Sequence, residues 1–445
     1  MPKMPSKPSS RSASLTEAQL RKHALRIFRA ALAAADPYAA TLAHLKPLPK
    51  SVKNLYVVGA GKAAASMARA VEKFYGARVA AGVIVTKYGH GQPLKRIRCL
   101  EAAHPVPDHA GVVAAHAIAE VCHSAGPHDL VICLISGGAS ALMPSPAVGI
   151  SLAEKQQATK LLLACGATIH ELNCVRKHLS SLKGGQLAHL AHPAKVQSLI
   201  LSDVIGDPLD VIGSGVTVPD PTTYANAWEI IYKYQLSDKM PASVRHHLEQ
   251  GVNLRIPETP KEGDPIFRHV RNTLIGSNRL SLQAAQGMAK ELGYHSLLLS
   301  TTLDGEASEV AKTFAAIARE VRTSGEPAKA PVAVMAGGET TVALSHHHGL
   351  GGRNQEMALA ASMGIAGLER TVFLAAGTDG TDGPTDAAGA FASGDTLRRA
   401  QAIDFVPEDF LARHDSYHFF KPLDDLLVTG PTGTNVMDLY LLLIG

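Results

Sequence analysis

The sequence has little that would tie it to a membrane, an oxidising compartment or a nucleic acid. No apolar run reaches the ~18 residues of a membrane span, and no apolar leader segment follows the opening residues. Five cysteines in 445 residues form neither a C-x-x-C pair nor a Cys/His metal spacing. Three of them lie in apolar segments, as reduced thiols do, which fits a reducing cytoplasm. Aromatic residues make up 5% of the chain, with a single Trp, and no Lys/Arg stretch alternates with them, so the composition argues against nucleic-acid binding. The formal net charge of +4 is small for this length and suits small anions better than a polyanion.

What is present is a soluble-protein composition, 46% apolar and 18% charged, on a chain long enough for two or three domains. Residues 1–16 are Ser-, Pro- and Lys-rich and read as disordered; residues 17–40 read as a helix entered from a Thr cap. From 41 to 240 apolar strand runs alternate with helical patterns. That order predicts a parallel sheet covered on both faces, with continuously apolar strands such as "LVICLI". Residues 241–264 are rich in proline and charge and read as a linker. Residues 265–445 repeat the strand-to-glycine-loop pattern as a second domain. The expected fold class is therefore α/β, with two domains built on largely parallel, Rossmann- or flavodoxin-like sheets and an active-site cleft between them. Ligands of such sheets sit at the carboxyl ends of the strands.

The glycine loops carry the chemistry. In "LYVVGAGKAAASMA", Gly59, Gly61 and Ala64 match the dinucleotide pattern G-x-G-x-x-[GA], but the acid that should hold a ribose at the end of the next strand is replaced by Thr86 and Lys87. The P-loop is excluded by Tyr56 and Ala63. Lys62 stands in the first turn of a helix, where the macrodipole disfavours a cation by a few tenths of a kcal/mol, so its placement points to a bound anion; the alternative is a solvated lysine beside an ordinary turn. "LISGGASAL" offers Ser136, Gly137, Gly138 and Ser140 as an anion nest, with a structural turn or a serine nucleophile as rivals. Gly337, Gly338, Glu339 and Thr340 end another strand run. Arg353 is a second first-turn cation with a bidentate fork, unless it pairs with Glu339 or Glu356. Asp379, Asp382 and Asp386 in "GTDGTDGPTDAAGA" suit Mg²⁺, unless the Asp-Gly pairs are ordinary turns, and Asp203, Asp207 and Asp210 lie in a second acidic loop, where one could be a base or a metal holder. The run His346-His347-His348 reads as solvated rather than metal-binding. Two helix-start cations, several nests and two Asp-rich loops suit phosphoryl transfer better than hydride transfer.

These stretches also resemble, in one order, those of the class II glycerate kinases, the glycerate 2-kinase family with a MOFRL C-terminal region: "VVGAGKAAASMA", "AAHPVPD", "LISGGASAL", "NCVRKHLSSLKGGQLA", "LSDVIGDPLDVIGSG", "GGETTV", "GGRNQEMAL", "GTDGTDGPTDAAGA" and "GPTGTNVMDL". The resemblance runs from about residue 17 nearly to the end. It implies ATP- and Mg²⁺-dependent phosphorylation of D-glycerate, usually at the 2-hydroxyl, and puts the family's essential lysine and arginine on Lys62 and Arg353. Gly59, Gly61, Ser136, Gly137, Gly138, Ser140, Lys183, Gly337, Gly338, Glu339 and Thr340 are then expected around the nucleotide, and Asp203, Asp379 and Asp382 around the metal. Arg176, Lys177 or Lys183 is implied as a phosphate contact, with His104 and Asp108 less specific. A homodimer is a family-level expectation. The competing enzyme is an NAD(P)H-dependent hydroxypyruvate reductase, in which Lys87 would take a 2′-phosphate; a non-catalytic nucleotide-binding module would need no Lys62 and Arg353 pair.

Overall fold

The computed structural model describes residues 15–344 and 346–445, so all but the last two residues of the expected disordered opening, 1–16, lie outside the described residues. The described chain forms two compact units. One holds Leu32–Ser281 with Gly433–Met437; the other holds the residues up to Ala31, Leu282–Thr432 and Asp438–Gly445.

The first unit is built on six strands: β1 (Leu55–Ala60), β2 (Val79–Lys87), β3 (Ile97–Ala102), β4 (Leu130–Ile135), β5 (Lys195–Leu201) and β6 (Val270–Gly276). They lie in the order β3-β2-β1-β4-β5-β6 and every neighbouring pair is parallel. Helices cover both faces. Ala64–Tyr75 buries Ala64, Met67, Ala68 and Val71, one stripe at helical spacing, while His109–His123 buries Ala114, Ala115, Ile118 and Cys122 in a separate cluster. Because all strands run one way, their carboxyl ends open on one edge. The chain's direction of travel across the sheet reverses between β1 and β4, which leaves a crevice there.

Four further helices, Leu152–Ala164, Ile169–His178, Tyr224–Lys233 and Ala242–Val252, pack around a core of their own in this unit. The last of them falls inside the expected linker 241–264. Its Gly251 is required by the Tyr224 ring, since a Cβ there would lie 2.2 Å from Tyr224 Cγ. A buried ionic network ties the group together. Lys177 reaches Asp210 (3.2 Å) and Asp220 (3.3 Å), and His178 lies 3.3 Å from Glu258 and 4.0 Å from Asp220.

Both ring nitrogens of His178 face acceptors, the Cys174 carbonyl at 2.8 Å and Glu258, so the ring is held as an imidazolium. Burial by itself would lower its pKa, but these hydrogen bonds and the Asp220 charge carry it from 6.5 to about 9. A raised folded-state pKa stabilises the fold fully below the unfolded value and loses that contribution as pH rises through the folded one. Urea unfolding followed from pH 6.5 to 10 should therefore show stability falling towards pH 9, and His178→Gln should flatten that slope.

The second unit contains β7 (His295–Leu303), β8 (Val332–Gly338), β9 (Thr371–Gly377), β10 (Gly389–Ser393), β11 (Leu426–Leu427) and β12 (Asp438–Ile444), in the order β11-β10-β9-β12-β8-β7. Only β7 and β8 are parallel neighbours; β12 runs antiparallel between β8 and β9, and β10 is antiparallel to β9 and β11. The expectation of largely parallel sheets thus describes the first unit, while the second sheet is mixed. The difference arises from β12, "DLYLLLI", which is buried along its whole length and enters the middle of the sheet. The boundaries also differ from the expected 41–240 and 265–445. β6 extends the first sheet, and the division falls within the helix Asn278–Glu291. A strand's sequence shows that it is a strand and not which sheet it joins. Among the described residues no helix is long and apolar enough to cross a membrane, and all five cysteines are free.

Candidate active site

At the β1/β4 crevice two loops are stitched together by main-chain bonds. The Lys62 N–H donates to the Gly137 carbonyl (2.9 Å), and the Ala63 N–H donates to Ser136 Oγ (3.0 Å). From β2, Thr86 Oγ1 donates to the Lys62 carbonyl (3.2 Å). The residue standing where a ribose acid belongs in a dinucleotide site therefore holds the lysine loop. The glycines of the β1 turn are likewise used up by protein. A Cβ on Gly59 would lie 2.5 Å from the Leu134 carbonyl oxygen, and one on Gly61 would lie 2.1 Å from Ser136 Oγ. These two positions, expected against a nucleotide, are glycine because β4 and its loop press on them.

The nest itself is lined differently. A Cβ on Gly137 would lie 2.1 Å from Asp203 Oδ2, and one on Gly138 would lie 3.0 Å from His104 Nε2 and 3.6 Å from Lys62 Cε. Lys62, Asp203 and His104, from three different loops, thus converge on Gly137 and Gly138. Lys62 is half-buried, and among the described residues its ammonium has no ion pair. Burial, reinforced by Lys62 and Lys87, depresses His104 to about 4, so its imidazole is neutral at physiological pH.

Behind the nest, Ser140 is surrounded by cations. Arg176 Nη2 donates to Ser140 Oγ (2.7 Å), and the buried Lys183 Nζ donates to the Ser140 carbonyl (2.7 Å), to Ser140 Oγ and to Ser214 Oγ (3.4 Å). Ser214 Oγ lies 2.9 Å from Ser140 Oγ. Two left-handed turns set this up: Gly184 and Gly185 donate to the carbonyls of Ser214 and Gly215, and Ser214 itself has φ 61° between two glycines. Holding a non-glycine residue in that region costs about 1 kcal/mol and is a frequent mark of functional sites. Lys177, implied as a phosphate contact by the resemblance, points instead to Asp210 and Asp220.

In the second unit, Arg353 opens the helix Arg353–Gly364. Its Nε and Nη2 donate to Asp438 Oδ2 and Oδ1 (2.6 and 3.1 Å), and its Nη1 donates to Glu339 Oε1 (2.7 Å). Asp438 begins β12 opposite Gly338 and Gly377, so the ends of β8 and β9 and the start of β12 meet at one edge. Burial raises the Asp438 carboxyl to about 6, still below neutral pH, and the pair is ionic. Two of the five guanidinium N–H groups remain outside these three contacts.

Asp382, expected to bind metal, is 3% exposed and already saturated. Its Oδ1 accepts from N and Nδ2 of Asn354, and its Oδ2 from N and Nε2 of Gln355. It satisfies the free N–H groups at the start of the Arg353 helix, which is a structural role. Gly337 and Gly338 are buried inside β8, where a Cβ on Gly338 would lie 2.0 Å from the Leu303 carbonyl oxygen, and the Thr340 hydroxyl and N–H face Tyr440 Oη. Asp379 accepts from the Thr381 N–H and stays partly exposed; Asp386 accepts from the Tyr417 hydroxyl. Among the described residues no three His, Cys, Asp or Glu side chains form a metal cluster. Asp203 nonetheless fits Mg²⁺, which commonly takes one or two carboxylates and leaves the rest to water and phosphate. Its oxygen already sits in the space that only a glycine at 137 leaves open.

Three contributors escaped the sequence reading: Asp438, Ser214 and Lys155. Asp438 had a signal, an acid at the head of an otherwise apolar run. Ser214 lies in "GSG", a left-handed turn pattern. Lys155, within the helix Leu152–Ala164, is buried and donates to the Leu179 carbonyl (2.6 Å).

The chain matches a domain of unknown function, DUF4147, over residues 23–249 and the MOFRL family over residues 332–438. It is 42% identical to a glycerate 2-kinase of Pyrococcus horikoshii, covering 96% of this chain and 97% of that one, and 41% identical to a D-glycerate 2-kinase of Thermotoga maritima, covering 96% and 98%. A protein of Agrobacterium vitis that carries a provisional name as a hydroxypyruvate reductase is 45% identical over 94% of this chain and 93% of its own. The crystal structure of a Thermotoga maritima glycerate kinase superposes with a TM-score of 0.89 at 41% identity, covering 96% of this chain and all of that one.

Proposed function

This chain belongs to the glycerate kinase family that carries the DUF4147 and MOFRL regions, and from that premise we propose that it transfers the γ-phosphoryl group of ATP to the 2-hydroxyl of D-glycerate in the cytoplasm, with Mg²⁺. The observation that carries the reading is Lys62, a half-buried ammonium without an ion pair among the described residues, lying over Gly138 of the nest at the strand-order reversal. Phosphoryl transfer asks for positioning and charge neutralisation more than for covalent chemistry. Lys62 neutralises the transferring group, the Gly137 and Gly138 main chain approaches it closely, and Asp203 would hold the metal. A Mg²⁺ ion held by Asp203 would supply neutralisation of phosphate charge. Arg353, held by Asp438, presents its remaining N–H groups to an anionic substrate group.

The reductase reading has less support at the same place. Gly59 and Gly61 are covered by Leu134 and Ser136, and Thr86 is engaged with the lysine loop. Phosphorus NMR of the product formed from D-glycerate and ATP tests the proposal. A 2-phosphoglycerate signal that disappears on chelation of Mg²⁺ supports it; 3-phosphoglycerate, or turnover indifferent to chelator, contradicts the stated regiochemistry or the metal.

A further inference from the structure

The first unit pairs its buried cations where it can. Lys177 has two carboxylates and His178 has two. Its neighbours on the same stretch behave differently. Among the described residues Arg176, Lys183 and Lys155 have no ion pair, although Lys183 is 1% and Lys155 6% exposed. A buried cation without a counter-ion is costly, so such a cluster either sheds protons or takes up an anion from outside. Lys183 and Arg176 meet at Ser140 Oγ, with Ser214 Oγ beside it, and Ser140 and Arg176 keep partial exposure.

We infer that Arg176, Lys183, Ser140 and Ser214 form the subsite for the carboxylate of the hydroxy acid, separate from the phosphoryl site at Lys62 and Gly137–Gly138. This rests on the glycerate kinase reading and deepens it. A carboxylate fits the donors that meet there, an arginine, a lysine and two hydroxyls around one Oγ. Burial and the neighbouring cations hold Lys183 well below its usual pKa, and burial with Arg176 lowers Lys155 to about 7. Ser140, two residues beyond Gly138 in the chain, then links the two subsites through one short loop. The acid's carboxylate at Ser140 directs its hydroxyl end towards the nest.

Calorimetric titration of D-glycerate without nucleotide, and of a non-hydrolysable ATP analogue with Mg²⁺ but without glycerate, should be run on wild type, Arg176→Met and Lys183→Met. The expected result is glycerate binding weakened roughly 10- to 100-fold in both variants, with analogue binding within about threefold of wild type. Glyceramide, which lacks the charge, should bind wild type as poorly as glycerate binds Arg176→Met, and the Arg176→Met change should not weaken it further. Arg176→Met should also keep or raise the thermal midpoint without ligand, because it removes an unpaired cation; this separates a ligand role from a structural one, and it stands if Lys183→Met does not fold. Loss of analogue binding instead of glycerate binding would make the subsite a nucleotide phosphate site and overturn the inference. Wild-type glycerate affinity in both variants would overturn it too. Failure of wild type itself to bind glycerate would count against the kinase reading rather than against the subsite alone.

Discussion

Lys62→Ala should lower kcat by roughly a hundredfold or more and leave the thermal midpoint unchanged. The ammonium has no ion pair among the described residues and sits partly exposed over Gly138, so the fold has little to lose when it goes. The loop is held by main-chain bonds that alanine keeps, from the Lys62 N–H to Gly137 and from Thr86 to the Lys62 carbonyl. What disappears is a charge preorganised beside the nest. Groups of that kind, aimed at developing charge in a site sheltered from water, contribute several kcal/mol to the barrier. Steady-state kinetics separate the alternatives: a fall in kcat with little change in KM means the lysine acts in the transition state, and near-normal kcat with a raised KM for ATP means that it binds ground and transition states alike.

Arg353→Ala should cost comparable activity and, unlike Lys62→Ala, should also destabilise the protein. Asp438 is 1% exposed and holds Arg353 through both oxygens. Removing the guanidinium strands a buried carboxylate, a change that typically costs about 3–5 kcal/mol. Arg353→Lys should recover much of the stability, since it leaves a cation near Asp438, but little of the activity, because a point charge cannot face Asp438 and a substrate anion with separate N–H groups. Denaturant unfolding and kinetics on the same preparations check both halves. Equal stability of wild type and Arg353→Ala would show that the Asp438 carboxylate protonates or finds other donors at no cost.

Arg353 stands in a helix's first turn as expected, but it pairs with Glu339, the alternative set against anion binding, and with Asp438; Lys62 lies before the helix Ala64–Tyr75 and not in its first turn. The alternating strand and helix pattern gave the first sheet, since buried parallel strands are apolar throughout. The glycines misled in part. Gly59 and Gly61 suit a cofactor's approach equally well as they suit Leu134 and Ser136, and the spacing does not say which atom fills the space. Asp382 and Asp438 exchanged roles for a similar reason. An aspartate in a glycine loop looks like a ligand, and one at the start of an apolar strand looks like a strand end; only the packing shows the first capping a helix and the second gripping Arg353. Strand partnership was also out of reach, because neither "VRNTLIG" of β6 nor "DLYLLLI" of β12 carries anything that says which sheet it joins.

The most direct test of the kinase reading is a single pair of assays on the purified protein. ADP release from Mg²⁺-ATP should depend on added D-glycerate, and hydroxypyruvate should leave reduced nicotinamide unoxidised. Oxidation of NADH or NADPH by hydroxypyruvate, with no glycerate-dependent ADP, would contradict it.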